Sequence, residues 1–254
     1  MRLRIKRFET EQLMKERRSE EFEALEEVFD KPTLMTIYGM INKGVIKELH
    51  GVVNSGKESR IYLGRAPDGT DLAVKIYLTG TSDFSKGMLQ YILGDPRFTH
   101  VKQDRRSLIR LWASKEFRNL EEAYRAGVRV PKPVHVKDNV LVMEFIGSGG
   151  VSAPLLREVR LKSPRRFFDQ LLDDLRKLCR KANLVHADLS EYNIMVYDDK
   201  PVIFDMSQSV SLEHPMSKKF LERDLQNLRW YFRRYRVKIP KTDQLLESVT
   251  SGAS

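Results

Sequence analysis

The chain has 254 residues, a formal net charge of +10, and 41% apolar and 31% charged residues; that is enough for one large domain or two small lobes around a substantial core. No run of ~18 apolar residues occurs, which excludes a membrane-spanning helix, and MRLRIKRFETEQ lacks the apolar stretch of a secretory signal. A single cysteine, Cys179, excludes an internal disulfide and fits a reducing cytoplasm; the basic balance is read either as attraction to polyanionic partners, RNA foremost, or as a lysine-rich surface without a partner, since no RNP1 aromatic box or zinc knuckle accompanies it.

Residues 1–30 are dominated by charge, and FEALEEVFD within them predicts a helix whose partner lies elsewhere. Residues 33–50 read as a short helix leading into a strand. Over 51–78 the period becomes alternating, broken by Gly, Asn and Ser and then by APDGT, which predicts a meander of antiparallel strands. Residues 79–106 are polar and carry Gly87, Gly94 and Pro96, the pattern of a mobile insertion. Leu108, Leu111, Phe117, Leu120 and Tyr124 recur at helical spacing and predict a helix over 107–126, stopped by Gly127. VRVPKPVHV and NVLVMEFI read as two further strands.

GSGGVSAP, 147–154, reads as a linker between lobes. Ser163-Pro164 opens a helix with apolar positions Phe167, Leu171, Leu175, Leu178 and Ala182. LVHADLSEYN follows at 184–193, then the short strands IMVYD and PVIFD, and a basic amphipathic helix over 216–236. No internal repeat or low-complexity tract appears. Strands come first and helices later, so the fold class is α+β in two lobes. The expected organisation is an N-terminal helical extension over 1–32, an antiparallel N-lobe with one helix over 33–146, the linker, and a helical C-lobe over 155–254.

Four places carry candidate chemistry. GVVNSGKES, 51–59, nearly matches a phosphate-binding P-loop, but Glu58 stands where Ser or Thr belongs, and a strand follows instead of a helix. The remaining choices are a glycine turn covering a nucleotide or a plain hairpin. Lys75 lies inside the apolar strand LAVKIY. In isolation such a lysine is as often solvent-facing, but a buried one requires a counter-charge. Glu116 in the next helix is preferred for that role over Glu121 and Glu122, because Phe117 and Leu120 bracket it.

The other two places are paired. Asp188 follows an apolar run, Asn193 stands five positions on, and Asp205 ends the next apolar run; this oxygen set suits Mg²⁺. Asn193 and Asp205 would hold metal bridging nucleotide phosphates, and Asp188 would take the proton of an attacking hydroxyl. His186 reads as a support for the turn. Each acid alone is an ordinary turn cap, but the ordered set, after a lysine strand and a glutamate helix, is specific.

With these residues in place the chain resembles the protein kinase superfamily: Ala73-Val74-Lys75, His186-Ala187-Asp188 reaching Asn193, and Asp205. It departs from ordinary protein kinases in lacking GxGxxG, in Ala187 for arginine, in Met206-Ser207 for Phe-Gly, and in having no APE segment. GKES, HADLSEYN and FDMSQSV followed by HP resemble the RIO family of atypical serine protein kinases, and FDMSQSV with FLERDLQNL resembles its type-one subfamily in an archaeal version. The resemblance covers roughly residues 35–236.

The resemblance implies a bilobal kinase-like fold without activation and peptide-docking segments, with ATP and Mg²⁺ (or Mn²⁺) as cofactors. It implies a flexible nucleotide loop of Ser55, Gly56, Lys57, Glu58 and Ser59, and phosphate contact by Lys75. Asp188 becomes the catalytic aspartate, and Asn193 and Asp205 the metal ligands. Met143-Glu144-Phe145-Ile146 becomes the nucleotide hinge, with adenine on the backbone of Glu144 and Ile146. Its implied partners are a protein substrate on serine and the precursor of the small ribosomal subunit or its RNA, with no membrane. In some members ATP hydrolysis is the output and the metal-binding aspartate is transiently phosphorylated, a second role for Asp205. Two other readings stay open: a small-molecule phosphotransferase of the same fold, which requires an acidic pocket for a cationic substrate, and a basic RNA-binding scaffold with an inactive kinase fold, which requires loss of one of the four key residues.

Overall fold

The computed structural model describes residues 29–79, 84–98, 101–102 and 104–251. The helix expected in FEALEEVFD falls almost wholly outside the described residues.

Helix α1 (Lys31–Asn42) begins where the Asp30 side chain accepts the Thr33 N–H at 3.0 Å, with Pro32 in the first turn, a residue suited to a position where the N–H would be unpaired. Three strands follow as the alternating pattern predicts: β1 (Glu48–Ser55), β2 (Ser59–Arg65) and β3 (Asp71–Tyr77). With β4 (Pro133–Lys137) and β5 (Val140–Glu144) they form an antiparallel sheet in the order β1-β2-β3-β5-β4. Because successive side chains of a strand point to opposite faces, Leu72, Val74, Ile76, Val140 and Val142 pack under α1 with Leu34, Ile37 and Met40. Ala73, Tyr77, Leu141 and Met143 face the other way, into the main core. Lys75 shares this second face by register, which is why it points inward although its strand reads as an unbroken apolar run.

Between the strands run α2 (Phe84–Leu89) and the long α3 (Arg105–Arg125), capped by Asp104. The buried stripe of α3 is Leu108, Ile109, Trp112, Ala113, Leu120 and Ala123 together with Lys115, Glu116 and Asn119. Leu111 and Phe117 are only half-buried and Tyr124 is 45% exposed, so the expected core face is displaced. The cause is that three polar residues occupy the middle of the stripe, where a search for apolar residues does not look. The expectation of a mobile insertion over 79–106 is also corrected for its described part. Met88, Tyr91, Ile92 and Phe98 are buried, and the Arg97 guanidinium bonds Asp95, Asn119 and Glu122.

The linker is a hairpin of β6 (Gly147–Ser148) and β7 (Val151–Ser152), whose two turn residues, Gly149 and Gly150, both take positive φ, +60° and +77°, as two-residue hairpin turns favour. Beyond it lie α4 (Pro164–Arg180), β8 (Leu184–Val185), β9 (Ile194–Tyr197), β10 (Lys200–Ile203), β11 (Val210–Ser211) and α5 (Ser217–Phe232). The basic helix expected over 216–236 thus stops at Phe232, a 3₁₀ turn follows, and Arg236 breaks the run at φ +55°. A last helix, α6 (Thr242–Thr250), has no counterpart in the sequence reading; it buries Leu245 and Val249, and Arg176 of α4 donates to the Ser248 hydroxyl at 2.8 Å.

A Cβ placed on Gly147 would lie 2.2 Å from the Val151 carbonyl oxygen and 2.6 Å from the Phe145 ring. Gly147→Ala is therefore expected to destabilise the protein by about 1–3 kcal/mol, read as a lowered denaturant midpoint.

Candidate active site

The site is assembled on one ion cluster. The Lys75 ammonium, 4% exposed on β3, lies 2.8 Å from Glu116 Oε1 of α3 and 3.0 Å from Asp205 Oδ1, just past β10. Glu116 is fully buried, and its other oxygen accepts the Tyr77 hydroxyl. The rival glutamates turn elsewhere, Glu121 to Arg125 and Glu122 to Arg97. Burial opposes the charge on Lys75, but Asp205 and Glu116 outweigh it and hold the ammonium protonated far above its ordinary range. Burial likewise opposes ionisation of Asp205; Lys75 and the Ser207 hydroxyl, 2.7 Å from Oδ1, reverse this and keep its carboxyl below the usual value.

The segment 184–193 is shaped by α5. Ala187 is fully buried with φ +64°, a left-handed conformation that costs a non-glycine residue about 1–2 kcal/mol. Asp224 holds it there by accepting the N–H groups of Ala187 at 2.8 Å and Leu189 at 2.9 Å. Arg223 donates to the Ala187 carbonyl and Asn227 to that of Leu189. Burial pushes the Asp224 carboxyl up to about 8, against those two N–H bonds, which favour its charged form. His186 Nε2 donates to the Phe204 carbonyl at 3.1 Å, and burial lowers its pKa to about 4, so it is neutral at physiological pH and supports the loop, as its sequence context suggests.

Asp188 and Asn193 emerge from this loop side by side. Asn193 Nδ2 donates to the Asp188 carbonyl at 2.8 Å and to Asp188 Oδ2 at 3.1 Å, and Gln208 Nε2 donates to the same Oδ2 at 3.2 Å. The Phe204 N–H donates to the Asn193 carbonyl, which sets Asn193 against the segment carrying Asp205. Burial, then the charge of Asp205, raise the Asp188 pKa.

A cavity of about 330 Å³ lies between the Lys75 cluster and the β1–β2 turn; Gly56, Lys57, Glu58 and Ser59 line it with Lys75, Glu116, Met143 and Asp205, and Asp188 and Asn193 are not among its lining residues. Ser55 ends β1, exposed, and does not line the cavity. The Gly56 N–H donates to the Ser59 carbonyl and β2 follows at once, so the turn is a hairpin and not a P-loop. Burial and the nearby Asp205 raise the Glu58 pKa. Glu144 and Ile146 stand beyond Met143: the Glu144 N–H is bound to the Lys132 carbonyl, and the Ile146 carbonyl accepts from Ala153.

The donor set fits a hard divalent cation. Asn193 is anchored through its nitrogen, which leaves its amide oxygen available, and Lys75 and Ser207 both bond Oδ1 of Asp205, which leaves a second carboxylate oxygen. One carboxylate and one amide oxygen, completed by phosphates and water, is the usual manner of holding Mg²⁺ in nucleotide sites. Sequence reasoning missed Asp224, Lys115, Asn119 and Gln208. A signal existed for the first three: each is a polar residue in the middle of an apolar helical stripe.

The family model described as the RIO domain matches residues 60–245. The RIO-type serine/threonine-protein kinase Rio1 of Methanocaldococcus jannaschii is 43% identical over 231 residues, covering 91% of this chain and 79% of the relative. The protein of the same name from Haloferax volcanii is 42% identical over 216 residues, covering 85% and 74%. Among solved structures, the Rio2 kinase–ADP/Mg²⁺–phosphoaspartate complex from Chaetomium thermophilum superposes with a TM-score of 0.64 at 22% identity, covering 87% of this chain and 67% of that one, a likeness of fold.

Asp224→Ala would leave two buried N–H groups unpaired, at about 1–3 kcal/mol each; a stability loss of about 2–5 kcal/mol in urea titration is the expected result. His186 takes its proton near 6.5 when unfolded and near 4 when folded. The unfolded chain therefore binds more protons between those values, and the stability associated with a neutral His186 is complete above pH 6.5 and lost as pH falls toward 4, by about 3 kcal/mol. His186→Asn should flatten the slope of the urea midpoint across that window.

Proposed function

We propose that this chain, which belongs to the RIO domain family, is an ATP- and Mg²⁺-dependent atypical serine protein kinase of the type-one branch. The observation that supports the reading is that Lys75 and Asp205 pair at one cavity, while Asp188 and Asn193, bonded to each other on one loop, are joined to the Asp205 segment through the Phe204 N–H on the Asn193 carbonyl, three chain segments in all.

In this reading Lys75, oriented by Glu116, binds α- and β-phosphate oxygens. Gly56, Lys57, Glu58 and Ser59 close over the nucleotide in the loop that Ser55 begins. Adenine is assigned to the Glu144 carbonyl and the Ile146 N–H, since the Glu144 N–H and Ile146 carbonyl are engaged within the protein. Bound Mg²⁺, or Mn²⁺ with the same oxygen preference, would draw on Asn193 and Asp205 and supply charge neutralisation at the phosphates. Asp188 takes the proton of a serine hydroxyl as its oxygen bonds the γ-phosphorus and the bond to the β-phosphate bridging oxygen breaks, releasing ADP. Its raised pKa makes it a better base than an exposed aspartate.

The partner assigned by the family resemblance is a precursor of the small ribosomal subunit in the cytoplasm, and the net charge of +10 suits its RNA. ATP hydrolysis is a second reading of the same site, favoured by the phosphoaspartate in the fungal Rio2 complex; Asp205 is the residue it would place in that role.

With Mg²⁺ and γ-labelled ATP, the purified chain should label itself on serine. Asp188→Ala is expected to lower transfer at least ~100-fold while nucleotide still binds, and Asp205→Ala to weaken Mg²⁺-dependent nucleotide binding. Transfer by Asp188→Ala at the wild-type rate would overturn the assignment. A label released by neutral hydroxylamine, which leaves phosphoserine intact, identifies the aspartyl route.

A further inference from the structure

The turn that follows Asp205 touches every carboxylate proposed to act in transfer or to bind metal. Met206, Ser207 and Gln208 form a 3₁₀ turn. From it the Ser207 hydroxyl donates to Asp205 Oδ1 at 2.7 Å, and the Gln208 amide to Asp188 Oδ2 at 3.2 Å. The next residue, Ser209, donates its hydroxyl to the His186 carbonyl at 3.1 Å. Asp205, Asp188 and the loop behind it are thus tied to three consecutive residues, Ser207, Gln208 and Ser209.

The backbone of this turn is held from the opposite side by α3. Lys115 Nζ donates to the Ser207 carbonyl at 2.9 Å and to the Ser209 carbonyl, and Asn119 Nδ2 donates to Met206 at 2.7 Å and Ser209 at 3.0 Å. Lys115 is fully buried and makes no ion pair among the described residues. A buried ammonium costs several kcal/mol, and methionine would fill the space without that cost. Packing therefore does not account for Lys115, whereas the direction of its donors toward two carbonyls does.

The oxygen distribution on Asp188 gives this arrangement a consequence for transfer. Asn193 and Gln208 both donate to Oδ2, which leaves Oδ1 as the oxygen available to an incoming hydroxyl. Asn193 is also proposed to bind metal, so Gln208 is the donor whose sole partner at the site is Asp188.

We propose that Gln208 is a positioning residue for phosphoryl transfer: its amide fixes the Asp188 carboxylate, and Lys115 and Asn119 fix the turn from which it reaches. The inference rests on Asp188 as the proton acceptor. Because α3 also carries Glu116, the helix, the Lys75 cluster and both aspartates form one mechanical unit, and α3 cannot move away without loosening both carboxylates.

The test is steady-state serine autophosphorylation by the full chain carrying Gln208→Leu, a half-buried position where the apolar isostere is tolerated by the fold. The expected result is a fall in kcat of about 10–100-fold, the usual cost of a misplaced reacting group. KM for ATP, the Mg²⁺ concentration for half-maximal rate and the affinity for a non-hydrolysable ATP analogue stay within about twofold, and the thermal midpoint shifts by less than about 2 °C. Lys115→Met should lower kcat and raise the Mg²⁺ requirement together, because it also releases Ser207 from Asp205. Wild-type kcat in Gln208→Leu overturns the inference, as does an equal loss of kcat and Mg²⁺ affinity in that variant. Asp188→Ala run in parallel separates the two levels: if it retains full transfer, the proton-acceptor reading fails, and if it is inactive while Gln208→Leu is not, only the role of Gln208 fails.

Discussion

A single buried cation holds the functional half of this molecule together. Lys75 is removed from water and sits between Glu116 and Asp205, contributed by a strand, a helix and a loop that lie far apart in the chain. Removing Lys75 from the cluster would leave Glu116 without its counter-charge in the interior, at about 3–5 kcal/mol, so the sheet, α3 and the segment after β10 are held in a common register. The same constraint leaves the open oxygen of Asp205 at the cavity, where its side chain remains 39% exposed.

Around that cluster, buried polar side chains organise backbone rather than one another. Asp224 accepts the amides of Ala187, held at positive φ, and of Leu189 two positions on, and Lys115 and Asn119 donate to three carbonyls of the turn after Asp205. Irregular backbone cannot satisfy its own hydrogen bonds as helices and strands do, and both reactive loops are irregular. A rigid helix with one or two polar residues in its apolar stripe is the means by which each loop acquires a fixed shape. This accounts for the departures from ordinary protein kinases. Ala187 fits a fully enclosed left-handed position, Met206 is buried where Phe would stand, and Ser207 bonds the aspartate before it.

Much of this was legible in the residue pattern. The apolar run LAVKIY implied a strand whose lysine, given a counter-charge, could face inward, and the spacing of His186, Asp188, Asn193 and Asp205 implied two strand-end turns with oxygen ligands. The preference for Glu116 over Glu121 and Glu122 agrees with the observed pairing, although Phe117, one of the residues that suggested it, is only half-buried. The segment 79–106 misled because Gly and Pro frequency signals irregular backbone, which need not be loose; Tyr91 and Ile92 are in the core, and Tyr91 lies 5.2 Å from the Phe220 ring. α6 went unread because TDQLLESVT is too short for its period to stand out.

By itself, the sequence determined the α+β order of elements, the antiparallel meander, the family resemblance and which acids and lysine are the candidates for chemistry, because strand and helix periodicities and local motifs are properties of neighbouring residues. Only the tertiary structure decided which face of α3 is buried, that Asp224 anchors the loop before Asp188, and that Lys115 bonds the turn after Asp205 from which Gln208 reaches Asp188. Those outcomes depend on carbonyls and carboxylates 20 to 94 positions away, and no local pattern encodes the direction in which a distant backbone oxygen points.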